Sequence, residues 1–289
     1  MWLENLLLLI WMLRMSKAML NYSGGKDSTA MLLMAIEKDI DFVACYQDTG
    51  FEHSSHYLYL NYIEKATGIK IKRVKNSQYD GLIDLITKKQ MMPNGMARFC
   101  TSNLKLQPTK EFLLKNRDIT ESWIGVRTAE STARAKRYEG MDYDSVYPLS
   151  DLPEFSKRDF SHINIRTPIV QWSDSDVWDI HKKHNIKRNP LYEIGAKRVG
   201  CYPCVLSGED SWYTAWQTEE GKRNIKQLAV VEAQINKDKP SKSGLPHSFF
   251  YGDKTVAKLI EQFELRDRQG DMFSSALPDT EVSCSWCHA

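Results

Sequence analysis

A short run near the start of the chain contains the residue types that bind phosphate. Residues 23–28 read S-G-G-K-D-S, with an apolar segment before them and a run of helix formers after them. Glycines let the backbone approach a ligand closely, and the N–H groups at the start of a helix stabilise an anion. We therefore predict a phosphate-binding loop that consists of Ser23, Gly24, Gly25, Lys26, Asp27 and Ser28.

The polar side chains of this loop add chemistry to that of the backbone. Ser23 and Ser28 supply hydroxyl groups, Lys26 supplies a cation, and Asp27 is a ligand of the kind that Mg²⁺ prefers. We predict that Lys26 and Asp27 are catalytic. The spacing differs from that of the Walker A loop, whose first glycine stands further from its Gly-Lys pair. A turn in which the glycines only relieve backbone strain is the alternative interpretation.

Asp48, Thr49 and Gly50 follow a second apolar segment, at residues 41–46. If that segment is a strand beside the one that precedes the 23–28 loop, residues 48–50 lie next to the loop at one edge of a sheet. The aspartate could then orient a ribose or a metal-bound water, and the glycine would let a base pass close to the backbone. A simple turn cap is the alternative for the aspartate. We predict that all three residues contact a nucleotide.

Two arginines, Arg127 and Arg134, follow a later apolar segment at residues 121–126. A guanidinium group binds two oxygens of a phosphate or sulfate at once, so arginines at a strand end suit anionic ligands. We predict that Arg127 is catalytic and that Arg134 contacts the ligand.

Four of the six cysteines form two C-x-x-C pairs, Cys201 with Cys204 and Cys284 with Cys287. Thiolates at this spacing bind zinc or an iron–sulfur cluster. Together the pairs predict a four-cysteine metal site, zinc or a 4Fe-4S cluster, which would clasp the tail onto the main body. A redox dithiol or two small buried residues is the alternative for either pair.

The other two cysteines stand alone. Cys45 falls in a predicted strand, and we expect it in the core. Cys100 follows Arg98 near a predicted helix start, and both features lower the pKa of a thiol. It could be a sulfur carrier, an extra metal ligand or a small buried residue, and burial is the interpretation we favour.

The elements around these residues alternate between strand and helix. Apolar segments predict strands at 18–22, 41–46, 69–74 and 121–126. The runs between them predict helices at 29–37, from Ser54 or Ser55 to Gly68, and at 79–89. This alternation predicts an α/β fold with a doubly wound parallel sheet, whose ligands bind at the carboxyl ends of the strands.

The second half of the chain is predicted to be mostly helical. Ser173, with Asp176 three residues later, predicts a helix start, and further helices are predicted at 221–237 and 255–265. A helix from Thr101 or Ser102 to Lys115 would contain Pro108, which is awkward inside a helix. We divide the chain into an N-terminal extension at 1–14, a nucleotide-binding domain at 15–170 and a helical, cysteine-clasped region at 171–289.

Composition narrows the class of protein. The 289 residues carry a formal net charge of +2, so no global positive field attracts nucleic acid. The apolar run at 6–13 is far shorter than the ~20 residues that span a bilayer, and it lacks the basic flank of a signal peptide. Paired cysteines favour metal or redox chemistry in a reducing compartment. We therefore predict a cytoplasmic enzyme without a membrane partner.

Five blocks in order resemble the phosphoadenosine phosphosulfate (PAPS) reductase family of the PP-loop superfamily, in particular its ATP-pyrophosphatase-like branch. The blocks lie at 23–28, 48–50, 98–105, 125–134 and 168–204. The resemblance implies an adenine nucleotide alpha hydrolase-like fold with ATP and Mg²⁺ as ligands and the 23–28 loop on the phosphates. It also implies that Arg98 and Lys105 contact the nucleotide.

The tail departs from the family pattern. Reductases resemble one another in a Glu-Cys-Gly-Leu-His segment, whereas residues 283–288 read S-C-S-W-C-H. With an intact loop, this departure favours hydrolysis of ATP to AMP and pyrophosphate, which adenylates a nucleic-acid or protein acceptor for sulfur transfer from a donor protein. One alternative is thioredoxin-dependent reduction of PAPS or adenylyl sulfate to sulfite. The other is a metal-clasped nucleic-acid-binding module without catalysis.

Overall fold

Six strands form one sheet at the centre of the computed structural model, which describes residues 17–269. The strands are β1 (Lys17–Asn21), β2 (Phe42–Gln47), β3 (Ile71–Val74), β4 (Ile119–Ile124), β5 (Val146–Pro148) and β6 (Asn164–Arg166). Their order is β3-β2-β1-β4-β6-β5, and every neighbouring pair is parallel except β5 with β6. The predicted α/β fold with a doubly wound, mainly parallel sheet is confirmed.

Helices connect the strands and continue beyond the sheet. They are α1 (Lys26–Glu37), α2 (Ser54–Thr67), α3 (Leu82–Lys89), α4 (Phe99–Thr101), α5 (Gln107–Lys115), α6 (Thr132–Arg137), α7 (Lys157–Phe160), α8 (Asp174–Lys183), α9 (Glu209–Trp216), α10 (Glu219–Asp238) and α11 (Val256–Gln269). The predicted extension at 1–14 lies outside the described residues. Between residues 17 and 269, no helix combines the length and the apolar character needed to cross a membrane.

Two hydrophobic clusters each combine residues from the first and the second half of the chain. One cluster contains Leu20 of β1, Leu33 of α1 and Val177 of α8. Another contains Leu85 of α3 and residues of the last three helices, such as Leu228. Residues on both sides of the predicted division at 170 therefore pack in shared cores.

The sequence does not predict strands β5 and β6 at one edge of the sheet. Each has three residues, and among them only Ile165 is buried. Strand β6 pairs with β4, and Arg166 donates to Glu121 across the two strands at 3.0 Å. Strands this short and polar show no alternation of apolar and polar residues. Their structure therefore depends on pairing with a neighbouring strand.

Pro108 is accommodated by a change of helix type. Residues Ser102–Leu106 form a π-helical turn between α4 and α5, and Pro108 lies in the first turn of α5. Proline has no N–H to donate, and the first turn of a helix requires none. The helix predicted to reach Lys115 is therefore present with an irregular start.

The predicted start of α8 is confirmed. The Ser173 N–H donates to Asp176 Oδ2 at 2.7 Å, and the Asp176 N–H donates to the Ser173 hydroxyl at 3.2 Å. This reciprocal cap fixes Asp174 as the first residue of the helix.

Candidate functional site

The 23–28 loop connects the end of β1 to the start of α1. Gly24 has a φ of 72°, in the left-handed region, and a Cβ added there would lie 2.4 Å from Cε1 of His56. Gly25 is the N-cap residue of α1 and provides no side-chain cap. The N–H groups of the first helical turn have no acceptor within the helix. The loop therefore has the backbone geometry of an anion site.

Two serine hydroxyls close the loop on itself. The Ser28 hydroxyl donates to the Gly25 carbonyl at 3.1 Å and accepts the Ser23 N–H at 3.2 Å. The Ser23 hydroxyl lies 3.1 Å from that of Ser28 and accepts the Gly25 N–H at 3.4 Å. Ser28 is buried and Ser23 is exposed. Ser28 thus maintains the shape of the turn, and Ser23 is the hydroxyl that a ligand can reach.

Arg127, just after β4, links the loop to α8. Its side chain is 1% exposed, and each of its nitrogens donates a hydrogen bond. Nε donates to Asp27 Oδ1 at 2.6 Å, Nη2 to Asp174 Oδ1 at 2.8 Å and Nη1 to the Trp172 carbonyl at 3.0 Å. A buried cation left without partners costs several kcal/mol, roughly 3–5 kcal/mol when one partner is removed. These acceptors therefore hold Arg127 in a single position beside the loop.

Lys26 shares one of these acceptors. Its ammonium group forms an ion pair with Asp174 Oδ1, the oxygen that also accepts from Arg127. The hydrogen bond from Lys26 is the main cause that lowers the pKa of Asp174, and the charge of Arg127 adds to it. Two cations and two carboxylates, with Asp27 as the second carboxylate, thus meet beside the start of α1.

A turn at residues 189–192, from the second half of the chain, packs onto the loop. Asn189 is buried, and its amide nitrogen lies 3.2 Å from the Gly24 carbonyl and 3.2 Å from Nδ1 of His56, donating to both. The Tyr192 hydroxyl accepts the Lys26 N–H at 3.0 Å. The turn therefore secures both the left-handed residue of the loop and the first residue of α1.

Two buried histidines complete the surroundings of the loop. His181 of α8 donates from Nε2 to the Lys26 carbonyl at 2.9 Å, and burial lowers its pKa. Burial also lowers the pKa of His56, to about 4. Because His56 accepts at Nδ1 from Asn189, its proton is assigned to Nε2. His56 is therefore neutral at pH 7.

Asp48, Thr49 and Gly50 lie at the end of β2. Asp48 Oδ1 accepts the Gly50 N–H at 2.9 Å and the Tyr57 hydroxyl at 2.8 Å, which makes it a cap of its own turn. The Thr49 hydroxyl is buried and donates to Glu52 Oε1 at 2.6 Å. Contacts from these residues to a nucleotide stay a prediction.

The other residues predicted to contact the nucleotide are Arg98, Lys105 and Arg134. Arg98 directly precedes α4, and Lys105 lies in the π-helical turn, where its charge acts on the Cys201 thiol. Arg134 of α6 is buried and forms an ion pair with Glu130. In this structure the charge of Arg134 is therefore already balanced by a carboxylate.

Cys201 and Cys204 lie against the cluster formed by α3 and the last three helices, as does Cys100. The backbone of Cys201 pairs with that of Glu52, and its Sγ lies 3.1 Å from the Thr49 hydroxyl. Burial raises the pKa of the Cys201 thiol. The first C-x-x-C pair is thus attached to the edge of the sheet that carries residues 48–50.

The two thiols of this pair suit two of the four positions of a zinc or iron–sulfur site. Within residues 17–269, no group of three or more histidine, cysteine or acidic side chains could hold a metal ion. The predicted four-cysteine site therefore depends on Cys284 and Cys287, which lie outside the described residues. Cys45 is buried in the core, as predicted.

Sequence reasoning does not single out five residues that contact the loop or its charges, namely His56, Asp174, His181, Asn189 and Tyr192. It assigns His56 to the helix predicted to end at Gly68, and Asp174 to the helix predicted to start at Ser173. Tyr192 lies 166 positions from its partner Lys26, so no local pattern joins them. The one local signal is the Asn-Pro pair at 189–190, which marks a turn but not its contacts.

Residues 17–207 match the phosphoadenosine phosphosulfate reductase domain. The match covers more than half of the chain and includes the 23–28 loop, Arg127 and the 189–192 turn. The chain therefore belongs to the PAPS reductase family. This confirms the family to which the five sequence blocks pointed.

Relatives of this chain include enzymes. A 37.8 kDa protein of Escherichia phage 186 is 29% identical over 230 residues, which cover 63% of this chain and 65% of the phage protein. A protein of Methanocaldococcus jannaschii is 32% identical over 192 residues, which cover 64% of this chain and 35% of that protein. The adenosine 5'-phosphosulfate reductase of Allochromatium vinosum is 24% identical over 194 residues, with 61% of this chain and 64% of the reductase covered. The chain thus spans less than two thirds of the length of each of these relatives.

Two solved structures align with about two thirds of this chain. The PAPS reductase from Candida auris, in a phosphate complex, has a TM-score of 0.47 at 14% identity and covers 64% of this chain and 80% of that one. The FMN adenylyltransferase of Candida glabrata has a TM-score of 0.41 at 12% identity and covers 65% of this chain and 53% of that one.

Proposed function

We propose that this chain binds ATP at the 23–28 loop and cleaves it between the α and β phosphates. An acceptor oxygen attacks the α-phosphorus, the bond to the bridging oxygen breaks, and pyrophosphate leaves, so that the acceptor carries adenylate. One observation carries the proposal: the loop, Lys26 and Arg127 meet at the carboxyl ends of β1 and β4. Doubly wound sheets bind their ligands at that edge.

The side chains of the site suit the charge that this reaction develops. Negative charge grows on the leaving pyrophosphate. The Lys26 ammonium group would stabilise it, together with N–H groups at the start of α1 other than that of Lys26, which donates to Tyr192. Arg127 is held by three hydrogen bonds, so it is already oriented before the reaction. The Asp27 carboxylate fits a hard cation, and Mg²⁺, when bound, would neutralise phosphate oxygens.

Two substitutions in the loop test this proposal. We expect Lys26→Ala and Asp27→Ala to reduce pyrophosphate release from ATP, with water as the acceptor, by at least ~100-fold, the usual loss when one electrostatic contact to a transition state is removed. Pyrophosphate release is measured by a coupled assay, and circular dichroism checks the fold. Lys65→Ala, which removes an exposed lysine of α2, is the control. Turnover that persists in either loop variant would refute the catalytic role of that residue.

For the acceptor we propose a nucleic acid or a protein, with a sulfur-donor protein as a further partner. Among the arginines at 127–137, Arg127 and Arg134 are buried and paired, whereas Arg137 is exposed. An acceptor that approaches over this segment would therefore meet Arg137 and the exposed Lys136 first.

The second candidate is thioredoxin-dependent reduction of PAPS or adenylyl sulfate to sulfite. The names of several relatives as adenosine 5'-phosphosulfate reductases favour it. This reaction needs a free tail thiolate that attacks sulfur, and a four-cysteine metal site would occupy both Cys284 and Cys287. We expect no sulfite from either nucleotide in the presence of thioredoxin. Sulfite release that disappears in Cys287→Ser would establish the reductase instead.

The third candidate is a metal-clasped nucleic-acid-binding module without catalysis. Its distinguishing result would be nucleic-acid binding by a folded chain that turns over neither ATP nor sulfated nucleotides. We propose the cytoplasm as the location, because thiolate ligands persist in a reducing compartment.

A further inference from the structure

The charges at the site balance one another before any ligand is present. Lys26 and Arg127 supply two positive charges, and Asp27 and Asp174 supply two negative ones, all joined by direct ion pairs. Within this four-residue cluster the formal charges therefore cancel. For a phosphate site this arrangement is costly, because the carboxylates compete with the ligand for the same cations.

Asp174 differs from the other three residues in its exposure. Its side chain is 64% exposed, compared with 1% for Arg127, 21% for Lys26 and 16% for Asp27. It is the first residue of α8, so its side chain can rotate into water while the cap formed by Ser173 keeps the helix in place. Asp174 is thus the one acceptor of the four-residue cluster that can leave without opening the core.

The position of one oxygen shows what Asp174 does in this structure. Oδ1 accepts from both Lys26 Nζ and Arg127 Nη2, so a single anionic oxygen bridges the two cations. A phosphate oxygen placed between two such donors would make the same contacts. Without an anion there, the two positive groups would repel each other.

We propose that Asp174 is a resident anion, which forms ion pairs with the two cations of the site until a phosphate group of the ligand displaces it. The inference rests on the proposed function only in assuming that the 23–28 loop binds phosphate. When Asp174 is displaced, the site has a net positive charge, because Lys26 and Arg127 carry two positive charges and Asp27 only one negative charge. A ligand with several negative charges, such as pyrophosphate or a nucleoside triphosphate, offsets the loss of the Asp174 contacts, whereas a single weak anion does not. Asp174 therefore sets how much negative charge a ligand must carry in order to bind here.

Calorimetric titration of the full chain with pyrophosphate and with orthophosphate tests this inference. In Asp174→Asn we expect pyrophosphate to bind about fivefold to tenfold more tightly than in the wild type, because one repelling charge near the ligand is removed. Orthophosphate has to displace the same carboxylate, so its affinity should rise by a similar factor. Asp174→Glu keeps the anion and should stay close to the wild type.

Asp179→Asn is the matched control, since it removes the same charge from an exposed position of the same helix. It should change neither affinity. Pyrophosphate that binds Asp174→Asn equally or more weakly, while binding the wild type, would overturn the inference and make Asp174 a ligand-binding or purely structural group. A folded wild type and a folded Asp174→Asn that both fail to bind pyrophosphate would overturn the phosphate site itself, together with the inference.

Discussion

His56 connects the shape of the loop to its chemistry at the scale of a single residue. Its ring is fully buried beneath Gly24, where a Cβ would collide with it, and its Nδ1 accepts from Asn189. Burial is the largest cause that lowers its pKa, to about 4. A charged His56 would also turn its acceptor nitrogen into a donor facing the amide of Asn189. The loop is therefore built for a neutral imidazole.

This burial predicts how stability depends on pH. The unfolded chain protonates His56 below about 6.5, whereas the folded chain does so only below about 4, so the unfolded state binds more protons between these values. We expect His56 to lower the free energy of unfolding by up to ~3 kcal/mol as the pH falls through this window. Urea denaturation at several pH values measures the slope.

His56→Gln should flatten that slope, whatever its effect on stability at pH 7. The control is His162→Gln, which removes an exposed imidazole and should keep the wild-type profile. An unchanged slope in His56→Gln would show that His56 does not control the acid sensitivity.

At the scale of elements, the 189–192 turn and α8 act as a clamp on a loop from the other half of the chain. The backbone just before the turn is anchored, since the Tyr59 hydroxyl donates to the Lys187 carbonyl at 2.9 Å and the Lys187 N–H donates to the Tyr62 hydroxyl at 2.9 Å. Helix α2 thus supports the turn, and the turn supports the loop. Pre-orientation of this kind lowers the cost of ordering the loop when a ligand binds.

Asn189→Ala tests the clamp. The change removes the donors to the Gly24 carbonyl and to His56, so we expect a loss of roughly 1–3 kcal/mol in the free energy of unfolding. We also expect pyrophosphate to bind about tenfold more weakly, because the loop is no longer held in its binding conformation. Denaturation and calorimetry measure the two effects.

Asn236→Ala is a suitable control, because Asn236 exchanges two hydrogen bonds with the backbone of His247 in the C-terminal helical region. It should destabilise the chain without changing the affinity for pyrophosphate. Equal pyrophosphate affinities for the wild type and Asn189→Ala would show that the turn supports the fold but not the binding site.

At the scale of the whole molecule, one hydrophobic cluster connects α3, the helix after β3, to the last three helices. Leu85 of α3 and Leu228 of α10 belong to one cluster, and the Tyr202 N–H donates to the Phe51 carbonyl at 2.7 Å. The first C-x-x-C pair is therefore fixed on the body of the protein. A tail that brings Cys284 and Cys287 to it would close the proposed metal site.

The metal clasp predicts about one four-thiolate site in each full-length chain. Elemental analysis for zinc and iron, with an absorption spectrum taken under anaerobic conditions, identifies the metal. Cys204→Ser and Cys287→Ser should each lower the metal content and the thermal stability, because a site with three thiolates binds more weakly. Cys45→Ser, which changes a core cysteine, should keep the metal. A metal-free chain with titratable thiols at 201, 204, 284 and 287 would remove the proposal.

The sequence by itself determined the features that depend on neighbouring residues. The 23–28 loop, the start of α8 at Ser173 and the alternation of strands and helices up to β4 were all predicted from local patterns. Glycines, caps and apolar periodicity act over a few residues, so they can be recognised without knowing what packs against them. The α/β class and the sheet edge that carries Lys26 and Arg127 followed from them.

The tertiary structure alone decided which distant residues complete the site. Strands β5 and β6 form because β4 offers them a partner, and Asp174 meets Lys26 because α8 packs on α1. Tyr192 and Asn189 reach the loop from more than 160 positions away. The energy of such a contact depends on burial and geometry that exist only in the folded chain, so the charge balance of the site could not be predicted from residue types and spacing.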